Sequence, residues 1–403
     1  MKKAHTIVVF IVVFVCNLAF ASEETLQKQI DELKKQMQGM SSYYEAKIKE
    51  LETRLIEQEE KETPLEHKHA EHEHKDESER LQELVEGKHH HGILVGDKVS
   101  LIGALDARYV NIEKQKNTFF LHEAKIGAQA DIAEWLFGYI TVTKHRGEDV
   151  DIEEAYAILR YKELGLSAKP GKFLVKFGPE NLAHFFNRRT ITPSAMHVGM
   201  FGDESWADIG VQADWRLPVD FYSDLSFSVL NGDNANSFGD GTNTVSNNNM
   251  PIATNWTNAF NTDYGVFRLG NSFAWGQWDR DDKYNVYLVG GDAYYKLYNF
   301  DAQFELIYRW KEMPGVEEEN AYGYYLWGAY TVPLEYKYLE GIEFLAGFGQ
   351  FIPDGGERET RVTPQVSLLL NDFAKLRATY EIRDQYPKDR KDNRFITQFA
   401  LAF

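Results

Sequence analysis

From Val99 to Phe403, apolar and polar residues alternate with a period of two, in runs broken by turn residues. In Ala374 to Arg383, Leu376, Ala378, Tyr380 and Ile382 share one face of an extended strand. Lys375, Arg377, Thr379, Glu381 and Arg383 share the other. The stretches Phe300 to Lys311, Asp208 to Leu217 and Arg394 to Phe403 repeat this pattern. Such a chain folds as two-faced strands. A soluble sandwich and a membrane barrel look alike at this level. Three features favour the barrel. Tyr and Trp gather near strand ends, as interfacial girdles would place them. Strand plus loop takes about 20 residues, too long for a compact sandwich. An export signal stands at the front.

That signal is Met1 to Ala21: Lys2 and Lys3, an apolar run from Ile7 to Val15, then Ala19-Phe20-Ala21. It reads as a cleaved secretory signal peptide, because the apolar run is shorter than the about 20 residues of a spanning helix. The only cysteine, Cys16, falls inside it, so the mature chain has no disulfide or thiol chemistry. Downstream, no window approaches a spanning helix, so membrane crossing would be by strands. The formal net charge of -18 argues against nucleic acid as a partner.

Residues 22–62 read as a periplasmic coiled coil. Leu26, Ile30, Leu33, Met37, Met40 and Tyr44 alternate in steps of four and three, with a stutter before Ile48, Leu51 and Leu55. Such a stripe needs partner helices, and a homotrimer fits a barrel protein; a single helix on the barrel rim is the alternative. Residues 63–92 form a linker with His67, His69, His72 and His74, then His89, His90 and His91. Imidazoles among carboxylates suit zinc or a similar ion, though the spacing is not that of a preformed tetrahedral site. The tract either gathers metal or is a solvated, charged linker.

Residues 93–403 read as an antiparallel up-and-down barrel. Short turns are expected at Asp131-Ile132-Ala133, Glu163-Leu164-Gly165, Leu217-Pro218-Val219, Leu297-Tyr298-Asn299, Leu339-Glu340-Gly341 and Asn371-Asp372-Phe373. Longer polar loops fall between them, and in outer-membrane barrels the short turns are periplasmic. Both ends then lie in the periplasm, so the strand number is even. This forces a descending strand in Met250 to Phe260 and gives about 16 strands, a size that leaves an aqueous channel. The loop Pro179 to Ser205 is too apolar for a solvated loop, with Phe185, Phe186, Met196, Met200 and Phe201. It is expected to fold into the lumen and narrow it with His184, Arg188, Arg189, His197, Asp203 and Glu204. The segment Asn231 to Asn249 is expected to be a polar extracellular loop.

No HExxH, nucleophile elbow, phosphate-cradling glycine loop or zinc-finger spacing occurs, so no enzyme is expected. Function then falls to the lining. Inward candidates are Lys125, Lys172, Lys176, Arg216, Arg309, Lys375, Arg377, Glu381 and Arg383, among others of both signs. The stretches GKFLVKFGPEN (Gly171 to Asn181) and VLNGDNAN (Val229 to Asn236), with the terminal Phe403, complete the layout. The chain resembles the phosphate-selective porins O and P and their trimeric relatives. The resemblance implies a passive, trimeric diffusion porin set among outer-membrane lipids. It also implies that Phe403 is recognised by the outer-membrane barrel assembly machinery. Acidic residues interrupt the basic candidates, so phosphate selectivity is not implied. A metal-handling channel and a coiled-coil tether anchored by a plugged barrel are the rival readings.

Overall fold

The computed structural model describes residues 93–95, 98–113, 115–232, 238, 250–279, 283–315, 318–354, 356–386 and 392–403. The expected signal peptide, coiled coil and histidine tract lie outside the described residues. The elements are β1 (Ile93–Val95), β2 (Val99–Ile112), β3 (Thr118–Ala133), β4 (Leu136–His145), β5 (Val150–Tyr161), β6 (Leu166–Leu174), β7 (Ala207–Arg216), β8 (Tyr222–Leu230) and β9 (Ile252–Thr262). There follow β10 (Gly265–Gln277), β11 (Asn285–Leu297), β12 (Phe300–Lys311), β13 (Glu319–Tyr336), β14 (Leu339–Ile352), β15 (Arg358–Asn371), β16 (Ala374–Tyr386) and β17 (Arg394–Ala402).

Each of β2 to β17 pairs with its sequence neighbours, and β17 closes on β2 from Arg394 opposite Ile112 to Ala402 opposite Ala104. The result is a closed antiparallel barrel of 16 strands, with no edge left unpaired. The descending strand required by parity is β9, which turns into β10 at Asp263–Tyr264. Two expected turns shift. β3 runs on to Ala133 and β13 to Tyr336, because bulges at Asp131/Ala133 and Pro333/Tyr336 carry the pairing further. No helix among the described residues is long and apolar enough to cross a membrane.

The faces are inverted relative to a soluble sheet. On β16, Leu376, Tyr380 and Ile382 are 41%, 45% and 45% exposed, whereas Arg377 and Glu381 between them are 4% and 0% exposed. On β12, Phe304, Leu306 and Tyr308 are exposed while Asp301, Glu305 and Arg309 are buried. Apolar outside and polar inside suits hydrocarbon around a hydrated lumen, which removes the sandwich reading. Aromatic pairs sit near both rims: Phe267 with Tyr295 (4.7 Å) toward the short turns, Tyr287 with Trp310 (5.3 Å) toward the long loops.

The apolar core lies inside the barrel. Phe173, Val175, Phe177, Met196, Met200, Phe201 and Trp206 pack against inward Ala253, Ala274, Val286, Leu288, Ile307 and Ala321 of β9 to β13. From the β8–β9 connection Phe238 joins this core, its ring 5.0 Å from that of Trp206. That segment, read from sequence as polar and extracellular, therefore supplies an apolar anchor; its remaining residues 233–237 and 239–249 lie outside the described ones.

Candidate functional site

The segment between β6 and β7 organises the lumen. After Leu174 the chain turns back inward, and the Lys176 Nζ reaches Asp214 (2.9 Å) and Asp224 (3.0 Å). Strand β6 ends opposite Ala207, seven positions from Asp214 in sequence. At about 3.3 Å per residue, the segment must descend beside the wall to make that contact. Gly178 has φ 69, and a Cβ there would collide with the Glu305 carboxylate, so only glycine fits. Pro179 then opens a one-turn helix, α1 (Gly178–Asn181).

Asn181 clasps the two ends of the segment. Its Nδ2 donates to the carbonyls of Val175 (2.8 Å) and Trp206 (3.1 Å), and its Oδ1 accepts from the Trp206 N–H (2.6 Å). The Glu180 carboxylate accepts from the Ser194 N–H (2.7 Å) and hydroxyl (2.6 Å). Ser194 in turn caps α2 (Ala195–Phe201) by accepting from the His197 N–H. Gly178 N–H donates to Ser272, and Glu180 N–H to Glu305, so α1 is fastened to β10 and β12.

The other wall holds the segment through its backbone. Lys375 donates to the Phe186 carbonyl (3.1 Å), Arg377 to those of Phe185 (2.8 Å) and Arg188 (2.7 Å), and Arg361 to that of Pro193 (2.8 Å). Gln365 donates to the Arg189 carbonyl and accepts from the Ile191 N–H. Arg189 joins Asp301 of β12 (2.7 Å) to Glu343 of β14. Wall strands on both sides of the lumen therefore bond one segment.

Between that segment and the strands β15 to β17 and β2 to β4 lies a cavity of 680 Å³. Of the expected constriction residues, His184, Arg188, Asp203 and Glu204 line it, as do Glu381 and Arg383 of the lining set. Arg189 is committed to its two carboxylates. His197 is fully buried, with Nε2 3.2 Å from the Ser205 hydroxyl. Burial, reinforced by Arg188, holds its pKa well below the ordinary histidine range, so the ring is neutral.

His184 is a charged knot. Its Nδ1 is 2.9 Å from Lys125 and 3.4 Å from Glu153, and its Nε2 is 3.2 Å from Glu154. Burial and Lys125 disfavour the imidazolium, but the two glutamates outweigh them and raise its pKa to about 9. Lys125 also pairs with Glu153 at 2.5 Å. Glu204 lies 3.7 Å from His145; burial and then the Glu148 carboxylate push its pKa up to about 8.

One position is corrected. Lys172, expected inward, stands opposite Ile209, which is half exposed on the outer face, while Phe173 stands opposite the buried Asp208. Burying Phe173 in the core sets the parity of β6, so Lys169 faces inward instead, 5.1 Å from the centre of the Tyr156 ring. Lys172 lies near the long-loop rim, paired with Asp151 at 2.8 Å. Arg216 and Arg309 face inward, near Asp224 (3.8 Å) and Glu319 (3.1 Å).

Sequence reasoning missed Glu153 and Glu154. A register shift at Thr141/Val142 brings both into the lumen from adjacent positions, which a strict period of two cannot show. A shift at Asp106/Ala107 likewise turns both His122 and Glu123 to the cavity. Arg361 and Arg394 were missed as well, although alternation along β15 and β17 places them inward.

No family model matches the chain. A curated relative, an uncharacterised protein of Aquifex aeolicus, is 33% identical over 125 residues. That match spans 31% of this chain and 26% of the relative. Among solved structures, an anion-selective porin from Comamonas acidovorans covers 76% of this chain and 99% of its own, with TM-score 0.57 and 11% identity. The outer-membrane channel DcaP of Acinetobacter baumannii covers 77% and 100%, with TM-score 0.54 and 13% identity. The trimer form of OmpT, an outer-membrane protein of Vibrio cholerae, covers 76% and 99%, with TM-score 0.53 and 12% identity. At these identities the likeness is one of fold: the 16-stranded barrel of outer-membrane porins.

Proposed function

We propose that this chain is an outer-membrane porin, a water-filled barrel through which small hydrophilic solutes or ions diffuse passively. The inverted barrel carries the reading: apolar residues cover its outside and charged ones its lumen. Residues 179–205 act as the constriction, folded across the lumen and bonded to facing walls. A homotrimer, with the N-terminal region in the periplasm, completes the reading; porins and a trimer form among the fold neighbours support it.

Selectivity is weak at neutral pH in this reading. Among the described residues lining the cavity, Lys and Arg equal Asp and Glu, seven of each. With His184 charged and Glu204 mostly protonated at pH 7, the excess is cationic but small, so neither anions nor cations are strongly excluded. Purified protein in a planar bilayer is expected to give stepwise, ohmic conductance with a reversal potential near zero in a salt gradient. A protein that inserts but stays silent contradicts the proposal.

A further inference from the structure

The charges around the cavity are equal in number but unevenly placed. Arg361, Arg383 and Arg394 converge from β15, β16 and β17. Two carboxylates stand among them: Glu359, bonded to the first two at 2.6 Å from Arg361, and Glu381, opposite Arg394 in register, so the three guanidiniums outnumber the acids there. The Arg394 Nε is buried without a hydrogen-bond partner among the described residues. At the other end stand Glu148, after β4, and Asp203 and Glu204, on the return leg of the constricting segment. The basic groups there are His145, 3.7 Å from Glu204, and Arg146, whose guanidinium lies over the Phe120 ring. Going round the wall, β2 and β3 lie between the two ends. At about 4.8 Å per strand, the ends are separated by more than one amino acid's length.

A basic end carrying an orphaned guanidinium N–H, an acidic end and a walled space between them make a dipolar receptor. We infer that the cavity binds and orients short zwitterionic peptides, the terminal carboxylate on Arg361, Arg383 and Arg394 and the terminal ammonium on Glu148, Asp203 and Glu204. A free amino acid is too short to reach both ends, and a singly charged solute engages one. The inference rests on the porin reading and names a solute class for the same lumen.

The test uses trialanine, N-acetyl-trialanine and trialanine amide at pH 7 with the full chain. Channel current is recorded in planar bilayers, and binding to the detergent-solubilised protein is measured by equilibrium dialysis, which needs no conductance. Trialanine is expected to bind and to reduce current at about a tenfold lower concentration than either singly charged analogue, since losing one charge-assisted contact costs about 1.4 kcal/mol. Arg394→Gln should weaken trialanine and the N-acetyl form but not the amide. Asp203→Asn should weaken trialanine and the amide but not the N-acetyl form. Equal affinity for trialanine and N-acetyl-trialanine overturns the inference in favour of a simple anion site. Conductance with no binding of any peptide overturns it while leaving the porin reading standing. A silent channel that still binds trialanine selectively sustains the site and sinks the porin reading.

Discussion

The two sides of the lumen are held by different physics. Over β9 to β13 the segment between β6 and β7 is sealed by apolar contact: Trp206, Phe201, Phe177, Met196 and Met200 against alanines and short aliphatics. Toward β15 and β16 long polar side chains bond its carbonyls and hold it off the wall. Beside them Phe185 and Phe186 make only a small apolar contact, on Ala400, Ala402 and Ala104 of β17 and β2, and the cavity opens on that side. Packing without gaps leaves no path for water, while an arginine reaching a carbonyl leaves space beside its stem. The open space in the lumen is therefore eccentric, lying away from the broad apolar contact over β9 to β13.

Removing the seal should have the largest effect. Trp206→Ala deletes a fully buried indole that packs on Phe201 and Phe238 (5.6 and 5.0 Å). Such truncations cost about 3–5 kcal/mol. The barrel should still resist denaturing detergent when unheated, while the segment becomes susceptible to protease and single-channel conductance rises. Asn181→Ala comes next. It strips hydrogen bonds from the Val175 carbonyl and both backbone groups of Trp206. The Val175 carbonyl keeps the Phe177 N–H and the Trp206 carbonyl keeps the Val175 N–H, so the cost, about 1–3 kcal/mol for the Trp206 N–H, should appear as open-channel noise with little change in barrel stability.

The polar side responds to pH. His184 has a folded-state pKa of about 9, above the roughly 6.5 of an unfolded chain. Its contacts with Glu153 and Glu154 are thus fully present below about 6.5 and are lost as pH rises through 9. Glu204, at about 8, gains charge over an overlapping range. Both changes make the lumen more negative, so reversal potentials in a salt gradient should move toward cation preference between about pH 7 and 10. Glu204→Gln should remove the earlier part of that shift. The smallest effect belongs to the outer rim: Lys172→Ala breaks its contact with the exposed Asp151 and should cost about 0–1 kcal/mol in thermal unfolding.

The wall was legible in the sequence because alternation is local: Leu376, Arg377 and their neighbours declare their faces without knowledge of the partner strand. Parity then placed β9, whose asparagines and alanines are weak strand signals. Local alternation failed at the bulges, which brought Glu153 and Glu154 to one side, and at β6, where core burial of Phe173 overrode the period suggested by Lys172 and Lys176. The apolar residues of 179–205 announced burial but not a partner. That partner is a set of small wall residues, Ala253, Ala274 and Ala321, that look like ordinary alternation until the chain is folded.

The eccentric open space is tested most directly with single cysteines, since Cys16 is the chain's only natural one. Thr118→Cys lies on the cavity wall, and Ala274→Cys lies on β10 under the apolar seal. A charged, water-soluble thiol reagent added during recording should cut the current through the first and leave the second unchanged. Equal modification of both positions, or reaction at Ala274→Cys alone, contradicts the account.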